Sequence, residues 1–136
     1  MNPDETCTLG GGLLRRACGR PALSACVYCG EPFCADHGER GPDYADVCAR
    51  RECVAKQRDV EAHVEWKSRM QPLNDVSVCA EGECTERMRH QCSRCRLMFC
   101  AEHVKEVDVI DSTTRPPQRS RALVCPHCAA RQSIWS

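Results

Sequence analysis

The sequence predicts a small α+β fold in which two tandem copies of one module, each with short β-hairpins, are joined by a helix. Three observations carry this prediction. A cysteine-rich stretch occurs twice, the chain offers few side chains for a hydrophobic core, and a segment without Gly or Pro lies between the two copies.

The repeat has the same spacing in both copies, C-x7-C-x2-C-x3-F-C-A-[DE]-H, from Cys18 to His37 and from Cys84 to His103. Nearly every shared residue is a cysteine, a histidine or the Phe beside a cysteine. Side chains that only fill a core tolerate changes in spacing, whereas groups that converge on one metal ion do not. Thiolates and imidazoles in this pattern are typical zinc ligands, so the repeat predicts a duplicated, metal-stabilised zinc-finger module.

The composition supports the same conclusion. The 136 residues include two Phe, two Tyr and two Trp but 14 cysteines. Modules of roughly 55 residues bury too little apolar surface to fold easily unaided, and small domains compensate with disulfides or metal. Three C-x2-C pairs and a recurring histidine favour zinc over disulfides, because such pairs suit two thiolates on one ion. The pairs are Cys26/Cys29, Cys92/Cys95 and Cys125/Cys128.

The chain is expected to be intracellular and cytoplasmic. Its first residues show neither the basic nor the apolar region of a signal peptide, and no stretch approaches the length of a transmembrane helix. The 19 basic and 19 acidic residues balance. With 14 thiolates and four Zn²⁺ the net charge becomes about −6, which disfavours non-specific binding to nucleic acid or anionic membranes.

Module one is expected over residues 1–53. Its eight candidate ligands suffice for two closed tetrahedral sites. They are Cys7, Cys18, Cys26, Cys29, Cys34, His37, Cys48 and Cys53. A helical linker follows over residues 54–78, because residues 50–70 are rich in helix formers and carry a partial apolar stripe. Pro72 is expected to end that helix.

Module two is expected over residues 79–136. It again offers eight candidates: Cys79, Cys84, Cys92, Cys95, Cys100, His103, Cys125 and Cys128. The stretch between the last histidine and the next cysteine is longer than in module one. Alternating apolar and polar residues there predict a β-hairpin with a mobile tip, residues 111–121, that holds Arg115, Arg119 and Arg121.

Linear order alone does not settle which ligands share an ion, because zinc accepts any four suitable donors at tetrahedral corners. The alternation of close pairs favours a cross-braced arrangement, which ties both ends of each module together; the alternative assigns the first four ligands to one ion and the last four to the other. Cross-bracing predicts four groups. They are Cys7, Cys18, Cys34 and His37; Cys26, Cys29, Cys48 and Cys53; Cys79, Cys84, Cys100 and His103; and Cys92, Cys95, Cys125 and Cys128.

The segment Cys26-x2-Cys29-x3-Phe33-Cys34-x2-His37, repeated from Cys92 to His103, resembles the central signature of AN1-type zinc fingers. Its spacing is also similar to that of the cross-braced B-box and FYVE fingers. The resemblance covers about 20 residues of each module. It implies binuclear fingers with roles in ubiquitin-related, stress or assembly pathways. The chain departs from AN1 at its last ligands, where that family has H-x-C and two cysteines stand here.

The sequence predicts no enzymatic activity, because two full sets of four ligands leave no open position of the kind that catalytic zinc needs. His63, His90 and His127 are expected at the surface, although His127 could replace a neighbouring cysteine as a ligand. We expect a zinc-finger adaptor that binds another protein. The expected contact surfaces are the 108–121 hairpin, the 54–70 helix, and exposed Trp66 or Trp135.

Two alternative functions remain open. Module two is the more basic half, so nucleic-acid binding through Arg87, Arg89, Arg94, Arg96 and residues 115–121 is the main rival. A RING-like or B-box-like role in a protein-modifier ligase is the second. Lipid binding is not expected, since the segment from Arg87 to Cys92 is similar to the basic motif of FYVE domains only in part.

Overall fold

The computed structural model describes residues 4–11, 14–42 and 45–135, without the side chains of Ser133 and Trp135. The predicted fold class is confirmed: the protein is a small α+β chain with short β-hairpins, one long helix and four Cys/His groups. It divides into two compact units, residues 1–61 and 62–136, called the first and second unit below. The boundaries predicted at residues 53 and 78 stay a prediction, because a division by packing does not test where the metal-binding modules end.

The first unit contains two short antiparallel hairpins. Strands β1 (Ser24–Ala25) and β2 (Pro32–Phe33) form one, and β3 (Gly38–Glu39) and β4 (Val47–Cys48) form the other. The pairing places Ser24 opposite Phe33 and Gly38 opposite Cys48. Helix α1 (Arg51–Asp75) begins three residues after β4, and its first half belongs to this unit.

The second unit repeats the first hairpin and enlarges the second. Strands β5 (His90–Gln91) and β6 (Met98–Phe99) pair as β1 and β2 do, with His90 opposite Phe99. Strands β7 (Lys105–Asp111) and β8 (Gln118–Val124) form a longer hairpin of seven residue pairs. Helix α2 (Pro126–Ala129) follows at once.

The predicted hairpin after His103 is therefore confirmed, but the extent predicted for its tip is wrong. The tip comprises residues 112–117, whereas Arg119 and Arg121 lie on strand β8. They are held there by the regular ladder, in which Ile110 pairs with Arg119 and Asp108 with Arg121. Of the predicted tip arginines, only Arg115 lies in the turn.

The predicted helix is also confirmed, but its predicted end at Pro72 is wrong. Helix α1 continues through Pro72 to Asp75, although an internal proline removes one backbone hydrogen bond and crowds the preceding turn. Contacts made beyond the proline hold this last turn in place. The Asn74 side chain donates to the carbonyls of Val78 and Met98, both at 2.9 Å, and accepts from the Met98 N–H at 2.7 Å.

Each unit has its own small core built around cysteines. In the first unit, Phe33 is the only residue other than cysteine in the buried core cluster formed by the described residues. In the second unit, Leu97, Phe99 and Val124 join the cysteines, and Trp66 and Met70 of α1 pack against them. Phe33 and Phe99 are both fully buried, so each ring lies in the core of its own unit.

None of the helices formed by the described residues combines the length and the apolar character that a membrane crossing requires.

Candidate metal centres

The structure brings the sixteen candidate ligands together in four groups of four. Within each group the ligand atoms all lie within 4.8 Å of one another. Site A of the first unit consists of Cys7, Cys18, Cys34 and His37, and its site B of Cys26, Cys29, Cys48 and Cys53. Site A of the second unit consists of Cys79, Cys84, Cys100 and His103, and its site B of Cys92, Cys95, Cys125 and Cys128. These are the groups of the cross-braced arrangement, not those of the sequential one.

The spacing of the sulfurs fits a tetrahedral zinc ion. Zn–S bonds of about 2.3 Å at tetrahedral angles place two sulfurs about 3.8 Å apart. The Sγ–Sγ distances are 3.8 Å for Cys18/Cys34 and for Cys29/Cys48. The distances for Cys84/Cys100 and Cys95/Cys125 are both 3.9 Å. All fourteen cysteines are free, and a disulfide would need these distances to shorten to about 2.05 Å.

The two histidines present the same ring nitrogen to their sites. His37 Nδ1 lies 3.5 Å from Cys7 Sγ and 3.4 Å from Cys34 Sγ. His103 Nδ1 lies 3.6 Å from Cys79 Sγ and 3.2 Å from Cys100 Sγ. Zn–N bonds of about 2.05 Å beside Zn–S bonds of about 2.3 Å give a separation near 3.5 Å. The donor set and its spacing therefore fit zinc at both A sites.

The same backbone turn positions the C-x2-C pair of both units. The Cys26 N–H donates to the Glu31 carbonyl, as the Cys92 N–H donates to that of Leu97, both at 2.9 Å. The turn closes at a residue with positive φ in each unit, Gly30 at 76° and Arg96 at 66°. The hairpin thus sets the direction of the two thiols of the pair in both units.

The last ligand of each B site lies in the first turn of a helix. Cys53 is the third residue of α1 and Cys128 the third of α2. A helix N-terminus carries unpaired N–H groups and a partial positive charge, and both favour a thiolate. In α2 the Cys128 N–H donates to Cys125 Sγ at 3.4 Å, and the Cys125 N–H donates to Cys92 Sγ at the same distance.

Crowding of the four sulfurs splits the cysteine pKa values at the B site of the second unit. Hydrogen bonds from Cys125 and Cys128 lower the pKa of Cys92, and a hydrogen bond from Cys125 lowers that of Cys95. The hydrogen bonds to Cys125 and Cys92 raise the pKa of Cys128. Four buried sulfurs at this spacing cannot all ionise without a cation between them, since like charges repel. A divalent ion removes this conflict.

A guanidinium group lies beside the B site of the first unit, where its positive charge partly offsets the negative charge of ionised thiols. Arg50 Nη1 lies 3.6 Å from Cys48 Sγ and 3.7 Å from Cys29 Sγ, and its Nη2 donates to Thr8 Oγ1 at 3.1 Å. The hydrogen bond to Cys48 raises the pKa of Arg50. Sequence reasoning missed this residue, although a basic side chain two positions after a ligand was a usable signal.

Two histidines expected at the surface are not there. His63 is buried, because the side chains of the second unit close over this face of α1. His127 is half-buried and lies outside the four groups. Its ring stacks on Trp66 with centroids 3.6 Å apart, and its Nε2 lies 3.2 Å from His63 Nδ1. Burial lowers the pKa of His127 to about 4, so this ring is neutral near pH 7.

The outcomes differ among the other residues that were predicted to lie at the surface. Trp66 is half-buried against the core of its unit, so the prediction of an exposed Trp66 is wrong. The side chain of Trp135 lies outside the described residues. His90 is exposed on β5, as expected.

No family model, no curated protein and no solved structure matches this chain.

Proposed function

We propose that the four Cys/His groups each bind one Zn²⁺ and that the chain is a pair of cross-braced binuclear zinc fingers. The observation that carries this is the uniform spacing of donors: independent sulfur pairs lie 3.8–3.9 Å apart in four different groups. Cys₃His and Cys₄ donor sets favour zinc over magnesium or calcium, which take oxygen ligands. Thiolate ligands persist in a reducing compartment, and this supports a cytoplasmic location.

The central signature of each unit supports placing the fingers with the AN1 type. Both units carry the same hairpin, the same buried Phe before the third cysteine and the same histidine three residues after that cysteine. The last two cysteines of each unit differ from the AN1 pattern, so the assignment rests on the first part of the module.

Zinc here is proposed to be structural, and the protein non-enzymatic. A catalytic zinc keeps one coordination position for water or substrate, whereas each group offers four protein donors. Zinc would supply folding free energy, which small cores of this kind need. The two histidines with lowered pKa values, His63 and His127, pack against Trp66 and each other and lie outside the four Cys/His groups.

We further propose that the protein is an adaptor that binds another protein through the β7–β8 hairpin. A single residue, Val104, separates His103 of site A from β7, and β8 runs directly into Cys125 of site B. Two separate metal sites therefore hold the two ends of one hairpin. A rigid base supports recognition because it lowers the entropy lost on binding. The outward side carries exposed Ile110 beside the ion pair of Arg121 with Glu106 (3.0 Å).

Native mass spectrometry of protein purified without chelator tests the metal proposal. The expected result is an added mass of about four zinc ions, all lost together with the fold on chelation. A mass that corresponds to about two ions would mean that one site of each unit is not a closed zinc site, and it would reopen the question of catalysis. A mass deficit from disulfides with no zinc would overturn the proposal.

A hairpin replacement tests the adaptor proposal. In one variant residues 108–121 are replaced by a two-residue Asn-Gly turn, and in a control only residues 112–117 are replaced. Zinc content should be unchanged in both. Proteins captured by the wild type from extract should lose their binding to the first variant and keep it with the control. Equal capture by all three would contradict hairpin-mediated binding.

The same preparations separate the adaptor proposal from the rival functions. Nucleic-acid binding would weaken steeply with salt, with a slope set by the number of phosphates contacted. A ligase component would discharge a modifier from a charged conjugating enzyme. We expect neither, and a clear positive result in one of these assays would replace the adaptor proposal.

A further inference from the structure

The four proposed zinc sites differ in how far their ligands are protected. All fourteen cysteines lie in the described part of the chain, and among them Cys29 alone is exposed. The other ligands of its site, Cys26, Cys48 and Cys53, are buried. The equivalent site of the second unit is buried throughout. The two B sites therefore share a donor set but not its accessibility.

The repeat provides a matched internal comparison. Cys29 and Cys48 correspond to Cys95 and Cys125, and the Sγ–Sγ distances of the two pairs are 3.8 and 3.9 Å. Cys95 is 1% exposed and Cys125 is 0% exposed. Donor type and sulfur spacing are thus matched, and the solvent exposure of the residues differs.

A cation also lies beside the exposed pair. Arg50 Nη1 is within 3.7 Å of Cys29 Sγ and within 3.6 Å of Cys48 Sγ. Reactive cysteines are typically partly exposed and placed in an electropositive environment, because both features favour an accessible thiolate. Oxidation by peroxide follows the same two properties.

We propose that Cys29 is a peroxide-sensitive modification site and that its oxidation releases the zinc of site B of the first unit. The Cys29 thiolate attacks one oxygen of hydrogen peroxide, the O–O bond breaks, and a sulfenic acid and hydroxide form. The Cys48 thiolate then attacks the sulfenic sulfur, a Cys29–Cys48 disulfide forms and a second hydroxide leaves. Two thiolates lose two electrons, and the peroxide gains them.

Zinc release follows from this chemistry because the ion loses two of its four donors. Closing the pair from 3.8 Å to the length of a disulfide requires the two sulfurs to approach each other by about 1.8 Å, and Cys29 lies in the turn between β1 and β2 rather than on a strand. The inference rests on the proposed zinc binding, and the test is arranged to separate the two.

The test uses full-length zinc-loaded protein treated with stoichiometric hydrogen peroxide. Zinc release is followed with a colorimetric chelator, and differential alkylation with peptide mapping identifies the oxidised cysteines over time. We expect the first disulfide to be Cys29–Cys48 and the first zinc ion released to be that of site B of the first unit, followed by that of site A as this unit unfolds. Oxidation of Cys95 and Cys125 should be slower by about tenfold or more, since their burial blocks access.

Several results would overturn the inference. They are loss of all four ions in one phase, a first disulfide elsewhere, or equal rates at the two B sites. A starting preparation without zinc would instead overturn the proposed function. The variant Cys29→His keeps a fourth donor and removes the oxidisable sulfur. It should load four ions and lose the fast phase, and persistence of that phase in a fully loaded variant would also overturn the inference.

Discussion

The two units share one half of their structure and differ in the other. From the second ligand to the histidine, the backbone repeats: the Leu23 N–H donates to the Phe33 carbonyl and the Arg89 N–H to that of Phe99, at 2.7 and 2.8 Å. After the histidine, the first unit has a two-residue hairpin and a long helix, whereas the second has a seven-residue hairpin and a four-residue helix. The repeated part carries five of the eight donors of each unit and is fixed by their geometry, whereas the rest of each unit is free to diverge.

The same comparison separates the cores. The first unit relies on Phe33 among its cysteines, while the second adds Leu97, Val124 and the α1 side chains Trp66 and Met70. A unit with less apolar packing is expected to depend more on the metal proposed to bind its Cys/His groups. The two units are therefore expected to differ in how strongly their stability depends on the proposed metal and on the apolar core.

Loss of one ligand at equivalent positions should have the largest effect. Cys26→Ala and Cys92→Ala each remove a donor, and cross-bracing makes the two sites of a unit share the hairpin between them. We expect the zinc content to fall from about four ions to about two in each variant, with only the affected unit unfolded. Native mass spectrometry gives the count, and amide NMR spectra show which unit remains folded. Retention of three ions with a native spectrum would mean that the sites of one unit are independent.

Truncation of the equivalent phenylalanines should separate the cores. Phe33→Ala and Phe99→Ala should each cost about 3–5 kcal/mol of stability. We expect Phe33→Ala to leave the first unit unfolded even with zinc, because cysteines are the only other members of its buried cluster. Phe99→Ala should leave the second unit folded but less stable. Denaturant titration of the zinc-loaded variants measures both, and equal residual stability would contradict the difference inferred between the cores.

A third test concerns the residue after each histidine. A Cβ on Gly38 would lie 2.3 Å from Phe33 Cδ2, so Gly38→Ala should cost about 1–3 kcal/mol through overpacking. The equivalent position in the second unit is Val104, which packs against the core, and there a larger side chain is already accommodated. Gly82→Ala is the control, since its nearest neighbour would be Met70 Sδ at 3.7 Å, and a change within about 0.5 kcal/mol is expected. Stability is measured by thermal unfolding. If Gly38→Ala were as stable as Gly82→Ala, the overpacking inferred at this position would be wrong.

The smallest effects are expected at the exposed ion pairs. Arg20 pairs with Asp36 in the first unit and Arg121 with Glu106 in the second, and all four side chains are more than half exposed. Arg20→Ala and Arg121→Ala should each change stability by less than about 1 kcal/mol, because water and salt screen such pairs. A loss of several kcal/mol in either variant would show that the exposed ion pair contributes substantially to the stability of that unit.

The sequence pattern was sufficient to predict the hairpins and the grouping of the candidate donors. This is because four donors around one ion leave few backbone paths between them. Cys26 and Cys29 determine a turn that needs a positive φ, and both units have one. The spacing of the donors restricts the backbone locally, and local geometry can be inferred from sequence.

Tertiary contacts account for what the sequence did not predict. Nothing near Pro72 indicates that Asn74 will bond to Met98, far along the chain, and so hold the helix past the proline. His63 and His127 look like surface residues until α1 and α2 place them beside Trp66. Each of these errors concerns residues that contact each other only after the chain has folded.

The position of α1 has a practical consequence for anyone who wishes to express the second unit alone. A fragment that starts at Cys79, the first cysteine of the second repeat, would keep all eight donors. It would lose Trp66 and Met70 from the core and leave the backbone of Met98 without its bonds to Asn74. Such a fragment would be prone to aggregation, since it exposes apolar surface. A fragment for crystallisation or isotope labelling should therefore begin before His63.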